Sequence, residues 1–280
     1  MTGWRFALTR RWLGYLALTV AFAVACVLLS QWQWARNAER AKEIERVEQN
    51  YDRDPVELGA VLEAPDAFDA AEEWMPVRMT GTYLAEEQLL VRNRPLNGAP
   101  GFEVLTPLLL EDGSVFVVDR GWLPTGSDQD LPDEIPEPPA GTVTVVAHLK
   151  PGEPPIPGRS APDGQIATVH LDDIAERLDR AVYTGAYGLL ASEDPAPAVA
   201  PRTAERPEAD PGPHLSYALQ WVLFGLLAFV ALVWAVRQEY RARNADTPEQ
   251  RRRAEQRAKR NAARRSDDEE EDAILDLTHR

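Results

Sequence analysis

Two uninterrupted apolar runs bracket a long middle stretch in which hydrophobic residues alternate or come in short groups. Residues 12–29 (WLGYLALTVAFAVACVLL) carry no charge over 18 positions, and residues 217–236 (YALQWVLFGLLAFVALVWAV) carry none over 20, with Gln220 the one strongly polar side chain. About 20 apolar residues rising 1.5 Å each cross a hydrocarbon core of roughly 30 Å, so each run predicts a transmembrane helix. Trp12, Tyr15, Trp32 and Trp34 mark the first run, and Tyr217, Trp221 and Trp234 the second, with rings that favour the membrane–water interface. A signal peptide is the rival for the first run: Arg5, Arg10 and Arg11 would lead it, and Ala23-Val24-Ala25-Cys26 resembles a cleavage site. The apolar run continues past Cys26 to Leu29, and cleavage would leave a greasy terminus, so a retained span is the better reading.

Between the runs the period changes. Residues 33–49 keep helical charge spacing, which extends the first helix a few turns beyond the membrane, and a linker or short helix passes through 65–71. Val77, Met79 and Gly81 alternate with Arg78, Thr80 and Thr82, the period of a half-buried strand. Further strands are predicted at 89–91, 102–110, 114–120, 142–149, 165–171 and 181–191. Glu111-Asp112-Gly113 turns 102–110 into 114–120, and the near-continuous apolar character of that pair implies burial on both faces. Asp172-Asp173 caps a short helix to about Leu178, and the Pro-rich stretches 128–141 and 151–158 are loops. The fold class is a membrane protein with two transmembrane α-helices flanking a mainly antiparallel β-domain, barrel or sandwich, with few helices. Its expected plan is 1–11 N-terminus, 12–29 first span, 30–74 helical extension and linker, 75–191 β-domain, 192–213 Pro-rich tether, 214–236 second span and 237–280 charged tail, largely disordered.

Charge sets the orientation. Residues 237–265 hold 11 basic against four acidic side chains, whereas only Arg202 and Arg206 precede the second span closely, so the tail is expected in the cytoplasm. Two spans then place the N-terminus there too and the middle outside a bacterial cell membrane. Arg36, Arg40, Lys42 and Arg46 oppose this but are interleaved with glutamates. Residues 51–213 carry 30 acidic and 11 basic side chains, a net −19 that repels nucleic acid. The tail also carries six consecutive acids, 267–272.

Chemistry is sparse. Cys26 is the single cysteine, which excludes an intrachain disulfide, a thiolate zinc site and covalent c-type haem. No G-x-S-x-G elbow, Walker loop, dinucleotide fingerprint or H-E-x-x-H pair is present, so no enzyme activity is expected. His148 and His170 fall in strands, where a surface or hydrogen-bonded structural role is the simpler reading, and His279 lies in the tail. His214 stands at the mouth of the second span. On a helix it shares a face with Tyr217, Ala218, Trp221 and Gly225, which suits either an axial ligand above an aromatic haem slot or a plain helix cap at the headgroups.

Four ordered motifs then carry a resemblance. They are Leu29-Ser30-Gln31-Trp32-Gln33-Trp34-Ala35-Arg36, then Val91-Arg92-Asn93-Arg94-Pro95 with Gly101 to Leu108 (Pro107 included), then Val117-Val118-Asp119-Arg120-Gly121-Trp122-Leu123-Pro124, and lastly His214-Leu215-Ser216-Tyr217-Ala218-Leu219-Gln220-Trp221. Together they resemble the Surfeit locus protein family, membrane-anchored assembly factors of haem-copper cytochrome c oxidase. Ser30 departs from the usual glycine, and Gly212-Pro213 from the paired asparagines common before the histidine. The resemblance implies a role in oxidase biogenesis, aiding haem A delivery to subunit I or stabilising that subunit, with haem A synthase a further partner. It makes Trp32, Gln33, Arg36, Asn93, Arg94, Pro107, Arg120, Gly121, Trp122 and Pro124 motif positions, and it favours His214 as a haem iron ligand with Tyr217 and Trp221 on the same face. One histidine supplies one ligand, so transient haem A holding is expected and no permanent cofactor. The Arg120-Gly121-Trp122 end of the hairpin has a structural reading as well, with Gly121 permitting a tight bend and Trp122 filling a barrel mouth. A membrane-anchored sensor signalling through the charged tail is the competing function.

Overall fold

The computed structural model describes residues 4–244 together with 252, 255, 256 and 258–260. The expected order-to-disorder boundary of the tail, the acidic run 267–272 and His279 lie outside the described residues. Two compact units divide the chain, one built from residues up to Glu39 and from Gly212 on, the other from Arg40–Pro211.

The first unit holds a 3-10 turn (Trp4–Leu8), most of α1 (Arg10–Asn50) and α4 (His214–Arg243). Both long helices contain windows of mean hydropathy 2.3 of which only 11% and 6% is buried. A soluble core helix would hide most of such a window, whereas these side chains face outward and demand an apolar medium, so the pair anchors the chain in a membrane. Where α1 and α4 touch, the residues are small. Ser30 Oγ donates to the Ala218 carbonyl at 3.0 Å, and a Cβ on Gly225 would lie 3.6 Å from that of Cys26. In lipid there is no hydrophobic drive between helices, and close backbone approach plus a hydrogen bond supplies the association instead. At the other end of the pair Trp4 stacks on Tyr240 at 4.4 Å and Arg243 lies over Phe6 at 5.2 Å.

The second unit contains eight strands: β1 (Val56–Glu57), β2 (Pro76–Tyr83), β3 (Leu89–Val91), β4 (Gly101–Leu110), β5 (Val115–Pro124), β6 (Thr142–Pro151), β7 (Gln165–Ile166) and β8 (Ala186–Asp194). Its two short helices are α2 (Leu58–Val61) and α3 (Leu171–Leu178). The sheet order is β1-β2-β6-β8-β5-β4-β3-β7, and β2 also pairs with β4, which closes β2, β6, β8, β5 and β4 into a barrel. Closure runs through Gly81, opposite Val143 on one side and Leu110 on the other. A Cβ there would sit 2.4 Å from the Leu109 carbonyl oxygen, so only glycine lets the ends of the sheet meet. Pairing is antiparallel except at β1–β2, β3–β7 and β5–β8.

Strands β4 and β5 are buried on both faces because two cores flank them. Leu108, Phe116 and Val118 point into the barrel with Val77, Val145 and Leu149, while Leu105, Val115 and Val117 pack outside it against Ile166, Ile174 and Tyr187. Leu58 and Leu62, brought in by the short β1–α2 segment, add to the barrel core. That segment was not legible in the sequence, since a two-residue strand has no period to read.

Several elements differ from the expected ones. The strand expected at 165–171 pairs only at Gln165–Ile166, because its partner β3 is three residues long, and Leu171 already opens α3. The cap of α3 is His170, not the Asp172-Asp173 pair, and Asp173 Oδ1 lies 2.9 Å from His170 Nδ1. The strand expected from 181 starts at Ala186, since the N–H groups of Thr184 and Gly185 donate to Pro65 O instead of a strand. Residues 195–211 are extended but fastened: Arg202 and Trp122 exchange backbone hydrogen bonds at 2.8 and 3.0 Å.

The extension of α1 is tied to the β-domain within this unit. Asn50 Nδ2 donates to the carbonyls of Ala71 (2.7 Å) and Glu73 (2.9 Å), and Glu73 pairs with Arg46 at 2.8 Å and Lys150 at 2.7 Å. Tyr51 stacks on His148 at 3.9 Å, and its carbonyl lies 3.0 Å from His148 Nε2. Burial pushes the His148 pKa below its ordinary 6.5, outweighing the Tyr51 carbonyl and the Asp52 charge. A base with a lowered folded pKa contributes stability above its unfolded value and loses it as pH falls through the folded one. Acidification below about 6.5 should therefore lower the melting temperature of the full-length protein more than that of His148→Phe, which keeps the ring stack. Parallel melting curves against pH for the two proteins would refute this.

Candidate functional site

His214 is the first residue of α4, and α4 begins there because Pro213 has no N–H to lose and ends the extended stretch before it. Its Nδ1 lies 2.9 Å from Oε1 of Gln33 on α1. An amide oxygen only accepts, so Nδ1 donates, and in the neutral imidazole the lone pair then lies on Nε2. Ligating histidines typically have this arrangement, in which the remote ring nitrogen donates to a fixed acceptor that sets tautomer and ring orientation. Ser30 and Ala218, one helical turn deeper, hold the two helices in register for it.

The rest of the expected face is divided. Ala218 and Gly225 are buried at the contact with α1, Tyr217 is exposed, and Trp221 is half-buried with its ring edge-on to Phe224 at 5.9 Å. Trp32 is exposed under the Arg36 guanidinium at 6.0 Å, and Arg36 also pairs with Glu39 at 3.1 Å. The first and last motifs thus meet through Gln33–His214 and Ser30–Ala218. Nε2 of His214 is the atom that would hold a haem iron, and among the described residues no three His, Cys, Asp or Glu gather to hold a metal otherwise. Sequence reasoning singled out both Gln33 and His214 but missed that one orients the other.

The two central motifs meet in the barrel unit. Arg94 Nε pairs with Glu103 at 2.8 Å and its Nη2 with Glu153 at 2.5 Å, while Glu153 also accepts from the Val169 N–H. Trp122 Nε1 donates to the Arg94 carbonyl at 2.6 Å, and its ring covers Gly101, where a Cβ would come within 2.4 Å. Asn93 takes the left-handed conformation (φ +58°) that turns the chain here. Pro107 O accepts from Leu84 N, and Pro124 ends β5 opposite Gly101. Beneath lies Asp119, buried and accepting from the Gly121 N–H. Burial and the neighbouring Glu103 charge push its pKa well above the ordinary carboxylate range. Burial likewise raises Glu103 despite Arg94.

Arg120 is wholly buried, and its Nη atoms reach Pro136 O (3.0 Å), Glu137 O (3.4 Å) and Glu193 Oε1 (3.3 Å). Its guanidinium stands 5.5 Å from the Tyr83 ring centre. Gly121 has φ +126°, and a Cβ there would lie 2.4 Å from Arg202 O. Gly121→Ala should break the Trp122–Arg202 bridge and cost more than about 1 kcal/mol. An unchanged urea midpoint would contradict that. These contacts give all three structural work: Arg120 holds residues 136–137, Trp122 holds Arg94 and Arg202, and Gly121 lets Arg202 approach.

Two bilayer-capable helices joined to a closed, mostly antiparallel barrel make this a membrane-anchored β-barrel protein. The chain belongs to the SURF1 family, whose model matches residues 20–226. It is similar to uncharacterised SURF1-like proteins of Mycobacterium tuberculosis and Mycobacterium bovis, each 33% identical over 246 residues, 86% of this chain and 89% of the relative. It is also similar to the cytochrome oxidase assembly protein SHY1 of Saccharomyces cerevisiae, 30% identical over 113 residues, 39% of this chain and 28% of the yeast protein.

Proposed function

We propose that this protein is a non-enzymatic assembly factor for a haem-copper cytochrome c oxidase, holding haem A on His214 during its delivery to subunit I. Haem A synthase is the supplier in this reading. Family membership and the likeness to a yeast oxidase assembly protein support the assembly role. The observation that carries the haem step is the His214 Nδ1–Gln33 contact, which leaves Nε2 as a ready donor to iron. A single histidine ligand would favour reversible holding, as cargo transfer requires. Tyr217 and Trp221 offer apolar ring surface to the macrocycle on the same helix. The arginine excess of residues 237–265 supports a topology with both termini in the cytoplasm and the barrel on the outer side of a bacterial cell membrane.

The test is purification from haem-A-producing cells, with absorption spectra of wild type and His214→Ala. Wild type should carry substoichiometric haem A and the variant little. Equal haem in both would overturn His214 as the ligand, and no haem in either would leave subunit I stabilisation as the mode of assistance.

A further inference from the structure

We propose that the end of α4 remote from His214 is a binding site for an anionic phospholipid, with the acyl chain in an apolar groove and the phosphate on two arginines. A cavity of about 400 Å³ opens on the surface of α4, lined by Phe229, Val230, Val233, Trp234, Arg237 and Arg241, with Gln238 beside them. Its composition changes along the helix axis. Four apolar side chains occupy the stretch without charges, and the cations begin at Arg237, directly after the last apolar residue of the span. From Phe229 to Arg237 the helix rises roughly 12 Å, so the groove runs from the hydrocarbon into the headgroup layer. Val230 and Trp234 are among the most exposed apolar residues described, and Val233 is exposed too.

The arginines are available to a ligand. Arg243 is engaged with Glu239 at 2.8 Å and with the Phe6 ring, but Arg237 and Arg241 have no ion-pair partner among the described residues. They lie four residues apart, on one helix face at the mouth of the groove. Two adjacent guanidiniums offer forked donors matched to phosphate oxygens, and Gln238 adds a neutral donor for a glycerol or ester oxygen. A zwitterionic lipid would bring its own cation against them. A soluble phosphate would use the arginines and leave the apolar half facing whatever fills the bilayer. The occupant that satisfies both halves is a lipid with net negative charge, such as phosphatidylglycerol.

The test uses the full-length protein in phosphatidylcholine bilayers doped with phosphatidylglycerol brominated on its acyl chains. Quenching of Trp234 is read as the difference between wild type and Trp234→Phe. With roughly five-fold preference expected for each arginine near the surface, hence roughly 25-fold for the two, brominated phosphatidylglycerol should quench Trp234 at about one twenty-fifth of the mole fraction needed for brominated phosphatidylcholine. The Arg237→Gln/Arg241→Gln variant should lose that preference, whereas Arg252→Gln/Arg260→Gln, an equal charge change outside the groove, should keep it. Equal quenching by the two lipids would overturn the site, leaving ordinary boundary lipid. Loss of preference in both double variants would also overturn it, leaving attraction to overall charge. Inorganic phosphate that abolishes quenching at constant ionic strength would reassign the arginines to a soluble anion.

Discussion

Arg120→Ala is expected to destabilise the barrel by about 3–5 kcal/mol, the range for removing one partner of a buried ion pair. The side chain is fully buried, and its loss strands three acceptors at once: the Glu193 carboxylate and the carbonyls of Pro136 and Glu137. Glu193 is itself only 4% exposed, so the carboxylate left behind cannot recover its hydration in place. The cluster is already short of partners, because Arg120 Nε, Glu193 Oε2 and Tyr83 Oη lack hydrogen bonds. Burial, with the Glu193 charge next to it, holds Tyr83 far above the ordinary phenol range, so the hydroxyl stays neutral. Urea unfolding of the full-length protein should show the loss as a lower midpoint. Arg120→Met combined with Glu193→Leu should recover much of it, since a packed apolar pair carries no desolvation penalty. A single substitution costing less than about 1 kcal/mol would show that the pair is not buried as described.

Gln33→Leu should weaken haem A binding about 10–100-fold while leaving the helices in place, the usual size of an effect from losing the acceptor that orients a ligating histidine. Leucine fills similar space but cannot accept from Nδ1, so the imidazole is free to turn or to change tautomer. Gln33→Glu still accepts and should retain binding. The melting temperature should be similar in all three proteins, which separates orientation of His214 from general stability. Haem titration with the purified proteins reads the difference. Unchanged affinity in Gln33→Leu would remove the orienting role, and equal loss in Gln33→Glu would point to helix packing instead.

Legibility in the sequence followed the strength of each period. Eighteen and 20 charge-free residues announce membrane helices by length alone, and the alternation at Val77, Met79 and Gly81 marks β2. Closure of the barrel was not readable, because it depends on Gly81 approaching the Leu109 carbonyl across 28 residues of chain. Elements fixed by distant partners were misplaced for the same reason. β7 stops after two residues because β3 is short, and the start of β8 is delayed by Pro65. The histidine at the mouth of α4 was found by its position, but its partner Gln33 is 181 residues away and no spacing rule joins them. The hairpin end at Arg120 had a structural reading, but the burial of its guanidinium was not legible, since a charged side chain is normally expected at the surface. Only tertiary structure reveals the three acceptors that make burying it tolerable.

The most direct measurement is the haem a absorbance and cytochrome c oxidase activity of membranes from cells lacking this protein, with the wild-type gene restored as control. The account predicts that both fall together, that total haem A in the cell does not, and that restoring His214→Ala recovers less than wild type. Oxidase with normal haem content and activity in the deleted strain would contradict it.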